Sequence, residues 1–209
     1  MNKTYLFLAI LLISSGCAKR YYDIHPQSFN YENRLSASGS LRINYVYDVQ
    51  FGEHNKKYSQ KERDSNLKLL ALSIENTSIE PIQIKRGNLD IKTASGRKIP
   101  SVDMSFYSSK VRQKPENYVL FYGIAGLGVY SETDPYGGST KVKVIYNPLP
   151  LIIGAGNAIF AGVANNKHKR NLKKYDIDQV VVPPKSTING VIAVSEPGFP
   201  ELIFEYSEN

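Results

Sequence analysis

The chain has 209 residues and a formal net charge of +7, with fifteen tyrosines, no tryptophan and one cysteine. That length suits one domain with a substantial core, and a single cysteine excludes an intramolecular disulfide framework. No internal repeat or low-complexity tract runs through it, and its basic balance suits nucleic acid, anionic lipid or acidic glycan as partners.

Residues 1–16 have the zones of an export leader: Lys3 as a positive start, an apolar run from Tyr5 to Ile13, then Ser14, Ser15 and Gly16 before Cys17. The run is about half the ~20 residues that a spanning helix needs. Small residues before the cut let a peptidase accept extended backbone with little side-chain bulk. A leader ending in Gly16-Cys17 resembles the lipobox of bacterial lipoprotein precursors. The resemblance implies that the Cys17 thiol takes a diacylglycerol, that cleavage falls between Gly16 and Cys17, and that the new amine is acylated with a fatty chain such as palmitate. Several chains on one residue hold far more firmly than one. Ala18 follows the cysteine, so in an organism with two membranes the outer one is favoured. Export disfavours nucleic acid, and loss of Lys3 with the leader lowers the charge from +7 to +6.

Residues 17–40 are polar and tyrosine-rich, with Pro26 and Gly39, and read as a lipidated N-terminus followed by a tether. A domain is expected over 41–209. Leu41, Ile43, Tyr45, Tyr47, Val49 and Phe51 alternate with mostly polar residues, the two-residue period of a half-buried strand. Gly52 to Asn66 reads as a charged loop in which Glu53, Glu62 and Asp64 are solvated. Strands follow at Leu67 to Glu75, around Ile82 and Ile84, and from Leu89 to Ile99 with a hairpin turn at Ser95-Gly96. At the other end, Val180 to Val182, Thr187 to Val194 and Leu202 to Tyr206 are equally β-like.

Short strands punctuated by Gly and Pro predict a mainly β fold, an antiparallel sandwich. Asn76-Thr77-Ser78 with Pro81-Ile82, and Pro183-Pro184-Lys185-Ser186-Thr187 with Gly190-Val191-Ile192, resemble the immunoglobulin-like domains of small uncharacterised bacterial lipoproteins. The resemblance covers about half the chain. It implies an immunoglobulin-like β-sandwich with a binding or structural role, interrupted by an apolar insertion that ends in a helix before the Pro-Pro strand.

Residues 104–175 match that insertion. Tyr118 to Tyr130 is apolar and glycine-rich, and Leu149 to Ala164 is apolar apart from Asn157. Ile152, Gly156, Ile159 and Val163 fall at helical spacing, so a helix is predicted over 151–175. Its first half is hydrophobic; its second half carries Lys167, Lys169, Arg170, Lys173 and Lys174. Two placements suit it: packed on the sandwich with its cations solvated, or dipped into a bilayer interface with those cations on anionic head groups.

No familiar reaction centre is spelled out. His25, His54 and His168 are scattered, no HExxH or paired-cysteine spacing points to zinc, and the glycines at 123, 126 and 128 complete neither phosphate-loop fingerprint. Asp176 and Asp178 suit a polar helix exit better than a calcium site. The expectation is therefore a lipid-anchored cell-envelope protein, a structural or partner-binding module without catalytic residues, metal or cofactor. Its partners would be the membrane, through the anchor, and an envelope protein or glycan. The alternative is an envelope glycan- or peptide-binding lipoprotein with a groove lined by tyrosines such as Tyr118 and Tyr122.

Overall fold

The computed structural model describes residues 17–31, 35–133 and 140–207. The expected leader and Gly16 lie outside the described residues. The chain divides into two compact units: a small one of Met1–Arg20 with Gln113–Asn165, and a large one of Tyr21–Arg112 with Asn166–Asn209.

In the large unit, β1 (Leu35–Ser38), β2 (Leu41–Val46) and β3 (Leu67–Asn76) are joined through β3 to β11 (Thr187–Ser195), and β11 to β7 (Ser101–Val102), in one five-stranded antiparallel sheet of order β1-β2-β3-β11-β7. β12 (Leu202–Tyr206), β5 (Leu89–Thr93) and β6 (Lys98–Ile99) form a second sheet, and β4 (Ile82–Ile84) pairs with β10 (Val180–Val182). Leu41, Ile43 and Tyr45 of β2 and Leu70, Leu72 and Ile74 of β3 project into a core completed by Ile84, Ile91, Val182 and Phe204. Alternation along these strands puts one face in that core, as the period predicts.

Helix and strand are present in comparable amounts, and this corrects the expectation of a mainly β, immunoglobulin-like sandwich. The described fold is mixed α and β. β3 is buried on both faces over Leu67–Leu72. Helices α1 (Val49–Gly52) and α2 (Lys56–Ser65) pack against β3, while α3 (Met104–Val111) packs on α2 and on β11. The predicted charged loop at 52–66 hides α2 because few of its residues are apolar. Tyr58 and Glu62, four apart and so on one helical face, are nonetheless buried. Asn66 ends α2 with φ +54°, a left-handed cap that asparagine tolerates. The first predicted strand stops at Val46 rather than Phe51, since Asp48 takes φ +57° and turns the chain into α1.

A free tether is also corrected over part of its length. Tyr21 and Ile24 are buried, and Asn171 clamps them: its Oδ1 accepts the Tyr21 hydroxyl at 2.7 Å and the Ile24 amide at 2.9 Å. Two deep side chains among polar neighbours leave no sustained period for a sequence to show.

The small unit contains α4 (Pro115–Ala125), a two-stranded hairpin of β8 (Leu127–Thr133) and β9 (Thr140–Tyr146), and residues 149–165 of the long helix α5 (Leu149–Tyr175). Residues 166–175 of α5 belong to the large unit.

Candidate membrane-anchoring site

Cys17 opens the described part of the small unit, half-buried and in no disulfide. Its Sγ lies 3.9 Å from the Tyr122 hydroxyl of α4. The backbone after it is held by amide side chains. Asn157 Oδ1 on α5 accepts the Ala18 N–H at 2.9 Å, and Gln113 accepts the Lys19 N–H at 2.9 Å while donating to the Lys19 carbonyl at 2.6 Å. Gln113 is itself fixed by Asn165, which accepts its N–H at 2.9 Å and donates to its carbonyl at 2.8 Å. A buried amide engaged through both its oxygen and its nitrogen has one orientation, so the backbone after Cys17 is held at a defined point between α4 and α5.

Close approach of those helices depends on Gly154. A Cβ there would stand 2.7 Å from Tyr122 Cβ and 2.8 Å from the Tyr118 carbonyl. Tyr122 is consequently buried, and the Tyr118 hydroxyl donates to Gln113 Oε1 at 3.2 Å. Tyr118 and Tyr122, expected to line a ligand groove, thus pack beside Gln113 and Cys17.

Much of the exposed surface of α4 and of the first part of α5 is apolar. Leu120, Phe121 and Ile124 of α4 and Ile152, Ile159 and Val163 of α5 are all exposed, Ile159 by 71%. α5 has an 18-residue window of mean hydropathy 1.2, of which 17% is buried, and is long and apolar enough to cross a membrane. A core helix of a water-soluble domain hides such a window, and contiguous exposed apolar surface marks contact with lipid or protein.

The five predicted surface cations follow on the same helix, in the large unit. Lys167 pairs with Asp23 at 3.0 Å, Lys174 Nζ lies 4.8 Å from the Tyr175 ring centroid, and Lys169, Arg170 and Lys173 are exposed. The opposite side of this stretch is anchored by buried His168 and Leu172.

Two constellations have no signature in the sequence. Glu62, expected in solvent, sits buried: its Oε1 accepts the Tyr107 hydroxyl at 2.7 Å and the Leu69 amide at 2.8 Å. Burial raises its pKa from 4.5 to about 8, against the smaller lowering effect of those bonds. Gln50 Nε2 stands 3.2 Å from Tyr107 Oη and 3.0 Å from His168 Nε2. An amide nitrogen only donates, so that ring nitrogen accepts and the imidazole is neutral; burial lowers its pKa to about 3. Second, Arg86 faces Asp103, Asp176 and Asp178 at 3.2, 3.5 and 3.8 Å. A guanidinium thus occupies the space between Asp176 and Asp178, and among the described residues no group of three His, Cys, Asp or Glu side chains suits a metal. A groove of about 490 Å³ also opens beside Tyr206, Gln83 and Asn88 in the large unit. Comparison with family models, curated proteins and solved structures found no match to this chain.

Proposed function

We propose that this protein is a lipid-anchored component of a bacterial cell envelope, acylated on Cys17, whose small unit faces the bilayer and whose large unit serves as a structural or partner-binding module. The observation that carries the reading is the coincidence, within one unit, of a lipobox-type cysteine and an exposed apolar helix surface. Acyl chains leaving between α4 and α5 enter the same layer that would cover Leu120, Phe121, Ile152 and Ile159. Neither feature requires the other. In an organism with two membranes, Ala18 favours the outer one.

Intact-mass analysis of the native protein tests this. The expected mature chain begins at Cys17 and carries a glyceride plus an amide-linked acyl chain; Cys17→Ser is expected to leave the leader uncut. An unmodified N-terminus would overturn the reading.

A second reading, a glycan- or peptide-binding lipoprotein, draws support from the polar groove beside Tyr206, where one aromatic ring stands among amide side chains. Envelope glycan arrays test it: Tyr206→Ala should abolish any specific binding that the native chain shows, and absence of binding would remove the reading.

A further inference from the structure

We infer that the β8–β9 hairpin is an assembly edge, along which β9 of one copy pairs with β8 of the next in a closed, head-to-tail ring of membrane-anchored copies. The inference rests on the anchoring reading above and adds the partner.

The hairpin is out of keeping with the rest of the fold. Its register sets Leu127 opposite Tyr146, Val129 opposite Val144 and Ser131 opposite Val142. Side chains directly opposite one another lie on one face, so this face is apolar along most of its length. The adjacent positions, Gly128 opposite Ile145 and Tyr130 opposite Lys143, give the other face a mixed character. Val129, Val142 and Val144 are exposed by 70, 66 and 67%. Among the described residues β8 pairs only with β9, and β9 only with β8. A lone two-stranded hairpin is marginal in water, and open strand edges recruit further strands. Lipid covering the apolar face would sharpen the need, because hydrocarbon offers nothing to unpaired backbone N–H and C=O groups.

A second copy meets that need best. Cys17 belongs to the same unit as the hairpin, so an acylated chain confines every hairpin to one sheet of membrane and raises its effective concentration for its own kind. Both strands are seven residues long, so a β9 edge can meet a β8 edge without overhang. That pairing is antiparallel, as within the hairpin, and it continues the apolar face from copy to copy. Head-to-tail contacts that close into a ring leave no edge open, whereas a two-fold β9–β9 contact leaves both β8 edges unpaired.

Two differently tagged full-length chains, one carrying Val129→Cys in β8 and the other Val142→Cys or Val144→Cys in β9, are co-expressed and oxidised in native membranes. Because the acylated Cys17 has no thiol, a disulfide joining the two tags reports β8 against β9 of another copy. The expected result is mixed-tag dimers in clear excess over same-tag ones, and a single discrete multimer of the unsubstituted protein in mild detergent by native mass spectrometry. Same-tag dimers in excess, no crosslinks, or a monomeric mass would each overturn the ring. Intact mass of the same preparation separates the two failures: an unmodified Cys17 sinks the anchor, while an acylated monomer sinks only the ring.

Discussion

The Tyr107 hydroxyl and the Leu69 amide share one oxygen of Glu62, at 2.7 and 2.8 Å, so the other carboxyl oxygen is left to hold a proton. A buried carboxyl of this kind is most stable neutral. With its pKa at about 8 in the fold and 4.5 as the ordinary value, the folded state binds the extra proton between those limits. Stability from Glu62 is therefore full below pH 4.5 and falls as pH rises toward 8. His168 acts in the opposite sense. Its pKa of about 3 against 6.5 means that the unfolded chain takes up the proton first, so stability falls as pH drops from 6.5 to 3.

The two slopes oppose each other between pH 4.5 and 6.5. Urea midpoints of the large unit, followed by hydrogen exchange of β3 amides, should rise from pH 3 to 4.5, stay level to 6.5 and fall toward 8. Glu62→Gln keeps an acceptor for both donors and places an NH₂ where the proton sat. It should remove the alkaline fall, gaining on the order of several kcal/mol at pH 8 over the native chain. His168→Gln should remove the acid fall and leave the alkaline one. A native profile without the level middle would refute the assignment.

Glycines of α5 should divide by position. At Gly154 a methyl group would strike Tyr122 Cβ and the Tyr118 carbonyl, and backbone cannot swing aside. Gly154→Ala should cost roughly 1–3 kcal/mol through overpacking and expose α4 to proteolysis. A methyl group at Gly156 or Gly162 would meet nothing within 4 Å, so Gly156→Ala and Gly162→Ala should each stabilise the helix. The gain expected is up to about 1 kcal/mol apiece. Thermal unfolding of the three variants decides it.

These cases show what a sequence reveals. Strands such as Leu41–Val46 and Thr187–Ser195 were legible because burial on one face writes a period of two. α5 was legible from Leu151 onward because its apolar and basic halves are long. α2 was not, since its buried face is Tyr58 and Glu62, and a carboxylate signals solvent until its partners Tyr107 and Leu69 are known. Those partners lie 45 and 7 residues away in sequence. Local spelling alone singles out Cys17 as a candidate, while Gln113, Asn157 and Asn165, which hold the backbone that follows it, carry no local signature.

Arg86 should behave as the neutralising centre of three carboxylates. Its own N–H also donates to Asp178 Oδ1 at 2.9 Å, so backbone and guanidinium grip one residue. Arg86→Ala leaves Asp103, Asp176 and Asp178 facing each other and should cost roughly 1–3 kcal/mol. Arg86→Lys should recover only part, because an ammonium lacks the planar fork that reaches several acids. Adding Asp176→Asn to Arg86→Ala should restore some stability by removing like charge. Urea midpoints that fall further in the double variant would contradict this.

The exposed apolar surface proposed to face the bilayer makes the last prediction, and the absence of native tryptophan makes it readable. Phe160 is exposed on the apolar part of α5, so Phe160→Trp installs a single reporter there. In the acylated full chain reconstituted into vesicles, its emission should shift to the blue and be quenched by brominated acyl chains. Apolar insertion is not a Coulombic interaction, and salt at 1 M shortens the screening length to about 3 Å. Quenching should therefore persist in 1 M salt, and in a Lys169→Glu, Arg170→Glu, Lys173→Glu chain. Emission unchanged from that in water would show that this surface does not meet lipid. Quenching lost with salt or charge reversal would instead make the cations of α5 the membrane contact.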